Sequence, residues 1–352
     1  MFDRGEFLRK LALNAARLTG IAPLAENWTG GVGAILMLHR VTATPAKPFG
    51  VNRHLTISPF FLDAVIADMK RRGYAFVSMD EVVERLKRGG APARFAAITA
   101  DDAYRDNLTE ALPVLESHDA PITIYVAPGL INGDVDLWWE LVEDVVAARD
   151  RFYLPTPEGR VAVDCSSPSR KYEAIVRLHE FLTRDVREQD QRTIVRDLAR
   201  AVGVDYAAPR RETLMTWDEV RTTARHPLVT IGAHSVHHYN LRRLPEEDAR
   251  REIADAAAML AIELGETPKH MAYPYGYVWA VGEREVRLAE EAGFVSAVTT
   301  RHGLLQPAHG GHLHALPRLS VNGRYQCVAH VRTMLTGVTT PLANRGRIVV
   351  TV

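Results

Sequence analysis

Cysteine is nearly absent: the 352-residue chain has two, Cys165 and Cys327. They are too few and too far apart for a disulfide framework or a Cys-x-x-Cys metal site, and both are expected as buried thiols. Net charge is absent too, because 43 basic residues meet 43 acidic ones, so nothing points to a nucleic-acid surface. No apolar run is long enough to span a bilayer. The N-terminus starts basic, but Leu11-Ala12-Leu13-Asn14-Ala15-Ala16-Arg17 is interrupted by polar residues and makes a poor signal-peptide core. It reads instead as an amphipathic helix with Phe7, Leu8, Leu11 and Leu18 on roughly one side. Such a helix would dock on the protein's own body or attach weakly to a membrane surface. The cytoplasm is the default location. There is no internal repeat and no low-complexity tract.

Apolar residues are plentiful, at 47%, enough for a sizeable core. They alternate between short β-like runs and helical stretches. Ala34–His39 reads as a buried strand, and Ser58-Pro59 caps a helix that Gly73 closes. Phe95–Thr99 is a strand running straight into Asp101-Asp102, and the helix after it ends near Ser117. Further strands are expected at 122–126, 228–233, 270–273, 295–299 and 315–321. Thr216-Trp217-Asp218-Glu219 has the form of a capping box. Repeated strand–helix units favour a parallel sheet, closed or nearly closed, with helices outside. Residues 1–32 read as a helix and linker, 33–335 as one α/β barrel, and 336–352 as a tail. The rhythm breaks over about 134–215, read as a mostly helical insertion with a turn-rich piece at 154–169.

In such barrels functional residues sit at the C-terminal strand ends. His39, Asp101, Asp102, His234 and Tyr275 all fall there. The histidines of His234-Ser235-Val236-His237-His238 lie where a strand enters a loop, so a turn must bring His234 and His238 together. A His, His, Asp ligand set leaves an open position on a divalent ion, the catalytic form of a zinc site, and a second carboxylate beside it can take a proton from water. The blander reading of Asp101-Asp102 is a helix cap. That of His234 and His238 is an ordinary surface loop.

The chain resembles the polysaccharide deacetylases of carbohydrate esterase family four, the group with the NodB homology domain. The motifs that carry the likeness are Thr99-Ala100-Asp101-Asp102-Ala103, His234 to His238, and Ala272-Tyr273-Pro274-Tyr275-Gly276. They occur in the family's order, and the layout is closest to its poly-N-acetylglucosamine deacetylase-like subgroup. The resemblance implies a distorted (β/α) barrel of the NodB type with a helical insertion. It implies a hydrolase that removes N-acetyl groups from amino sugars of a glycan. Asp101 would be the base. Asp102, His234 and His238 would hold a divalent metal, zinc or else another divalent ion, and the Tyr275 N–H would face the developing oxyanion. The general acid would be His39, in Leu38-His39-Arg40-Val41, ahead of the late candidates His312 and His314.

Three departures stand out. Ala100 replaces the family's Phe. Ala103 replaces its Gly, so the backbone there either avoids positive φ or is strained. Ala272 stands where many members have an arginine that tethers the base, and Arg318 could supply that charge from a neighbouring strand end. Tyr104, Trp138, Trp139, Tyr277 and Trp279 are candidates to stack a sugar ring or to pack the core. Two alternatives stay open: an amidohydrolase for a small non-sugar amide, and a non-catalytic glycan-binding barrel.

Overall fold

The computed structural model describes residues 4–89, 93–156 and 159–352. Seven parallel strands form its centre: β1 (Gly33–Leu38), β2 (Phe95–Ala100), β3 (Ile122–Val126), β4 (Val229–Ala233), β5 (His270–Ala272), β6 (Ser296–His302) and β7 (Leu316–Ser320). Their order around the sheet is β1-β7-β6-β5-β4-β3-β2, and β2 pairs back with β1, so the ring closes. The short strand Ala75–Phe76 adds to β2 outside the ring. The expected α/β barrel is therefore a closed one.

Alternation along each strand divides the core in two. Ile35, Phe95, Ala97, Tyr125, Ala272, Val298 and Leu316 form one cluster with Met79, Val82 and Leu86 of the helix Met79–Lys87. The other strand faces pack against the surrounding helices in a larger cluster. The lumen is narrow, and its aromatics fit because glycine sits opposite. Gly33 is the register partner of Phe95, and Gly232 that of Tyr125. A Cβ on Gly33 would lie 2.7 Å from the Phe95 ring, and one on Gly232 2.5 Å from the Tyr125 ring.

The outer helices follow from local sequence. In Pro59–Arg71, Ser58 Oγ accepts the Phe61 N–H at 3.1 Å and proline takes the first turn, where no donor is needed. Leu62, Val65, Ile66 and Met69 lie at helical spacing and are fully buried. Burial of each contributes about 1.5–3 kcal/mol. The capping box at Thr216 and Glu219 forms as expected.

Several expectations change. The segment 134–215 is not all helical: Arg151–Thr156 and Gly159–Asp164 pair as an antiparallel hairpin where only turns were expected. The N-terminal helix, Arg4–Leu18, packs through Leu13 and Asn14, with Asn14 Oδ1 3.3 Å from His330 Nε2, while Leu11 and Leu18 are exposed. The side chains of Phe7 and Leu8 lie outside the described residues. Cys165 is buried, but Cys327 is exposed. The residues after 335 are held to the barrel: Val350 is buried, and its carbonyl lies 3.0 Å from His309 Nε2. No helix among the described residues is long and apolar enough to cross a membrane.

Buried Asp68 ties Pro59–Arg71 to the helix Val328–Leu335 by accepting from Arg332 Nε at 2.9 Å and from its Nη2. The Arg332 hydrogen bond outweighs burial and lowers the Asp68 pKa below its usual 3.8. A carboxylate depressed by folding stabilises above its unfolded pKa, and that stability is lost as pH falls through the folded value. Asp68→Asn should lower the melting temperature near neutrality and flatten the acid limb of a melting series run from about pH 7 to about pH 2. An unchanged acid limb would show that the pair contributes nothing.

Candidate active site

The strand ladder continues one residue past three strands and fixes the site's backbone. Asp101 N–H donates to Leu38 O at 3.1 Å, His234 N–H to Val126 O at 2.9 Å, and Tyr273 N–H to Val298 O at 3.2 Å. Asp101, Asp102, His234, Tyr275 and His39 are thereby gathered at the C-terminal mouth of the barrel, as their strand-end positions suggested.

Beyond the ladder the backbone is strained. Seven described non-glycine residues have positive φ, and five of them are here: Asp102 (70°), Ala103 (54°), Ser235 (55°), His238 (56°) and Tyr275 (62°). Each costs on the order of 1–3 kcal/mol and persists only where surrounding contacts enforce it. The strained alternative expected at Ala103 is the one observed. The helix-cap reading of the aspartates fails, because the next helical turn starts at Asn107 and neither Asp101 nor Asp102 caps it.

Asp102 Oδ1 faces two imidazoles, 3.6 Å from His234 Nε2 and 3.4 Å from His238 Nε2. These gaps are too long for hydrogen bonds. They suit donors that share a tetrahedral ion, since ligands about 2.1 Å from such a centre lie about 3.4 Å apart. Asp102 Oδ1 is buried and has no hydrogen-bond partner, which is costly unless a cation meets it. His234 Nδ1 lies 2.7 Å from Ala272 O. A carbonyl can only accept, so Nδ1 carries the proton and the Nε2 lone pair faces Asp102. Burial lowers the pKa of both histidines, that of His238 well below its usual value, and keeps them in the neutral form that ligates. Burial, then the Asp101 charge, raises that of Asp102 well above the carboxylate norm. The three residues fit a divalent cation.

Asp101 is treated differently. Burial opposes its ionisation, but Arg318, with His234 and His39, outweighs burial and holds the carboxyl well below its ordinary range. Arg318 Nη1 and Nη2 each donate to one Asp101 oxygen at 2.7 Å. Its Nε donates to Thr299 O at 2.8 Å, and Nη1 also lies 3.2 Å from Thr99 Oγ1. A register shift between β6 and β7 accompanies the Thr299 contact. The charge that Ala272 lacks is thus supplied by β7.

His39 Nε2 lies 4.0 Å from Asp101 Oδ2. Burial, partly offset by Asp101, lowers its pKa to about 4, so the ring is neutral at neutral pH. Its carbonyl accepts from Asn107 Nδ2 at 2.9 Å. His312 and His314 precede β7, at the opposite end of the barrel, where His314 Nε2 lies 2.7 Å from Phe294 O. The Tyr275 N–H makes no backbone hydrogen bond among the described residues.

The aromatic candidates separate. Tyr104, Trp138 and Trp139 are buried, so they do not offer an exposed stacking face. Trp139 Nε1 donates to Tyr104 OH at 2.9 Å, and its ring centroid is 4.9 Å from that of His238. The segment 134–215 therefore walls the site: Trp138, Trp139, Gln191 and Val195 line a small pocket with His237 and His238. Tyr277 and Trp279 are about half exposed.

The sequence reading overlooked Glu252. Its Oε2 accepts the N–H groups of Val236 (3.1 Å) and His237 (2.8 Å), and its Oε1 lies 2.5 Å from His237 Nδ1. His237 is accordingly half-buried rather than solvent-facing. The signal was present, since Glu252 shares a helix face with buried Ala249, Ile253 and Ala256. Ser235 Oγ accepts the His238 N–H at 3.1 Å.

Residues 183–296 match the family model for polysaccharide deacetylase, a stretch that holds both histidines and Tyr275 but not the aspartates. No curated protein matches the chain. Among solved structures, the Streptococcus pyogenes deacetylase PplD in complex with acetate is similar at 19% identity and a TM-score of 0.55, over 86% of this chain and 97% of that one. IcaB from Ammonifex degensii is similar at 16% identity and a TM-score of 0.54, over 87% and 98%. A de-N-acetylase from Aggregatibacter actinomycetemcomitans gives 13% and 0.51, over 86% and 99%. The fold is that of these deacetylases, and the resemblance read from the motifs is borne out.

Two substitutions test the geometry. Arg318→Met leaves a buried carboxylate without its cation and should cost about 3–5 kcal/mol in urea unfolding, with Arg318→Lys costing less. Ala103→Gly should stay within about 1 kcal/mol of the parent, because relief of strain is offset by the lost methyl group and the freer unfolded chain. A large stabilisation would mean that Ala103 is held against more strain than its φ suggests.

Proposed function

We propose that this chain, which carries the polysaccharide deacetylase fold and that family's match over residues 183–296, is a metal-dependent N-deacetylase acting on N-acetylated amino sugars of a glycan. The observation that carries the reading is the unpartnered Asp102 Oδ1 facing two histidine nitrogens, beside a second carboxylate locked to Arg318. Asp102, His234 and His238 would hold a divalent cation, and the Asp/His/His donor set suits zinc. When bound, that cation polarises the acetamide carbonyl and eases deprotonation of water.

The remaining chemistry belongs to the protein. Asp101, kept ionised by Arg318, takes the proton from the attacking water. The Tyr275 N–H, set by that residue's positive φ, donates to the oxygen that gains charge. His39 is neutral and can act as an acid only after receiving a proton, and Asp101, 4.0 Å away, is the donor at hand. The proton taken from water thus passes through His39 to the departing nitrogen. Acetate and a free amine result. The acetate complex of PplD is in keeping with such a product. Exposed Leu11 and Leu18 on the helix Arg4–Leu18, with Leu24 and Trp28 on the helix Ile21–Thr29 that follows it, support weak attachment to a membrane surface.

Zinc-loaded protein should release acetate from N-acetylglucosamine oligomers. Asp101→Asn and His39→Gln should each lower kcat by about 10²–10⁴. Asp102→Ala and His234→Ala should fail to retain zinc on dialysis. Glycan binding without acetate release would instead identify a non-catalytic barrel, and release from small amides alone would identify a different substrate class.

A further inference from the structure

A second cavity shares no residue with the metal set or with the groups that move protons. Its volume is about 420 Å³, it is partly open to solvent, and its lining combines apolar Ile131, Leu214, Met215 and Trp217 with Arg105, Arg210 and Arg211. The helices Pro128–Asn132, Ala208–Thr213 and Trp217–Ala224 supply most of these residues. The backbone around it is pinned. Leu214 pairs with Tyr104 in an antiparallel bridge, Arg105 N–H donates to Thr213 O at 2.7 Å, and Met215 N–H donates to Ala103 O at 3.0 Å. Trp217 Nε1 donates to Asn132 Oδ1 at 2.8 Å, which sets the direction of the indole. A cavity formed in this way loses little entropy when a ligand enters, and its size is that of a small-molecule site.

The three arginines are not equivalent. Arg105 is committed: its Nε donates to both Glu219 oxygens, at 2.9 and 3.2 Å, and its Nη1 to Glu212 O at 2.8 Å. Glu219 in turn accepts the Thr216 N–H at 2.7 Å. Arg211 Nη2 donates to Asp205 Oδ2 at 2.7 Å, and the neighbouring Glu212 carboxylate, which does not line the cavity, adds to the same balance. Arg210 is different. Among the described residues no carboxylate pairs with it; its Nη1 donates to Ile131 O at 3.2 Å, and its Nε is buried without a partner. Its guanidinium lies over Gly133, where a Cβ would come within 3.0 Å of Cζ. The lining therefore holds one cation that no acid answers, beside apolar surface and an oriented indole. A guanidinium takes carboxylate or phosphate oxygens through charge-assisted hydrogen bonds, and an indole takes a flat ring.

We propose that this cavity binds a small organic anion, a carboxylate or phosphate carried on a compact ring, with Arg210 meeting the charge and Trp217 the ring. The test is calorimetric titration of the full chain with two matched pairs, benzoate against benzamide and adenosine monophosphate against adenosine, and with inorganic phosphate. At least one of the two anions should bind about tenfold more tightly than its neutral counterpart and than inorganic phosphate. Arg210→Gln should erase that preference, and Arg210→Lys should keep part of it. Trp217→Phe should weaken the anion and its neutral counterpart by similar factors, because it changes the ring contact and not the charge. Melting curves that match the parent's show which variants are folded, and if Arg210→Gln is not, Arg210→Lys and Trp217→Phe decide. Binding of neither anion overturns the proposal, as does a preference that survives unchanged in the Arg210 variants, which would place the ligand elsewhere. Inorganic phosphate bound as tightly as either organic anion also overturns it, leaving an adventitious ion only. The readout is binding, so the result stands whether or not the chain releases acetate.

Discussion

Two carboxylates adjacent in the chain are buried at one barrel mouth, and the site depends on keeping their environments apart. Like charges so close cannot both ionise in a dry setting without compensation. Asp101 receives a bidentate guanidinium from across the barrel and stays charged. Asp102 receives no protein cation, only two imidazoles whose Nε2 atoms face its Oδ1. The first can take a proton and the second can take a metal. The division arises where the strand ends: Asp101 makes the last ladder bond, to Leu38 O, and the left-handed backbone at Asp102 (φ 70°) departs from the strand and redirects the next side chain.

Much of the surrounding structure reads as support for that division. The narrow lumen, filled by Phe95 and Tyr125 against glycines, leaves room above them for Arg318, which is almost fully buried. Glu252 fixes the backbone between the two histidines, and Ser235 caps the His238 N–H. Asn107 holds the His39 carbonyl. Asp106 binds both Arg40 (2.8 Å) and the Val41 N–H (3.0 Å), so the strand end bearing His39 is anchored on both sides. These contacts offset the left-handed backbone at five site residues.

The segment between β3 and β4 gives the barrel its asymmetry. Arg196 and buried Asp136 form a partly buried ion pair inside it, and Glu188 reaches out to the Asn240 N–H and to Arg243 beyond the histidines. Trp139 is thereby pressed against His238 on one side while Tyr275 borders the same ring on the other. The Trp138 and Trp139 side of the site is buried, and Tyr277 and Trp279 are open to solvent.

Strand positions, helix caps and the donor types at strand ends were legible in the sequence because they depend on neighbours a few residues away. Apolar runs, Ser58-Pro59 and the Thr216 capping box specify themselves locally, and Asp101-Asp102, His234 and His238 stand at recognisable strand ends. Other features required the closed ring. Arg318 lies 217 residues from Asp101, and only the closed sheet with its shifted β6–β7 register brings them together. The same closure sends His312 and His314 to the far end and leaves His39 at the mouth. Burial of Tyr104, Trp138 and Trp139, as against exposure of Tyr277 and Trp279, was equally undecided locally, since an aromatic side chain does not carry in its own sequence what will pack against it.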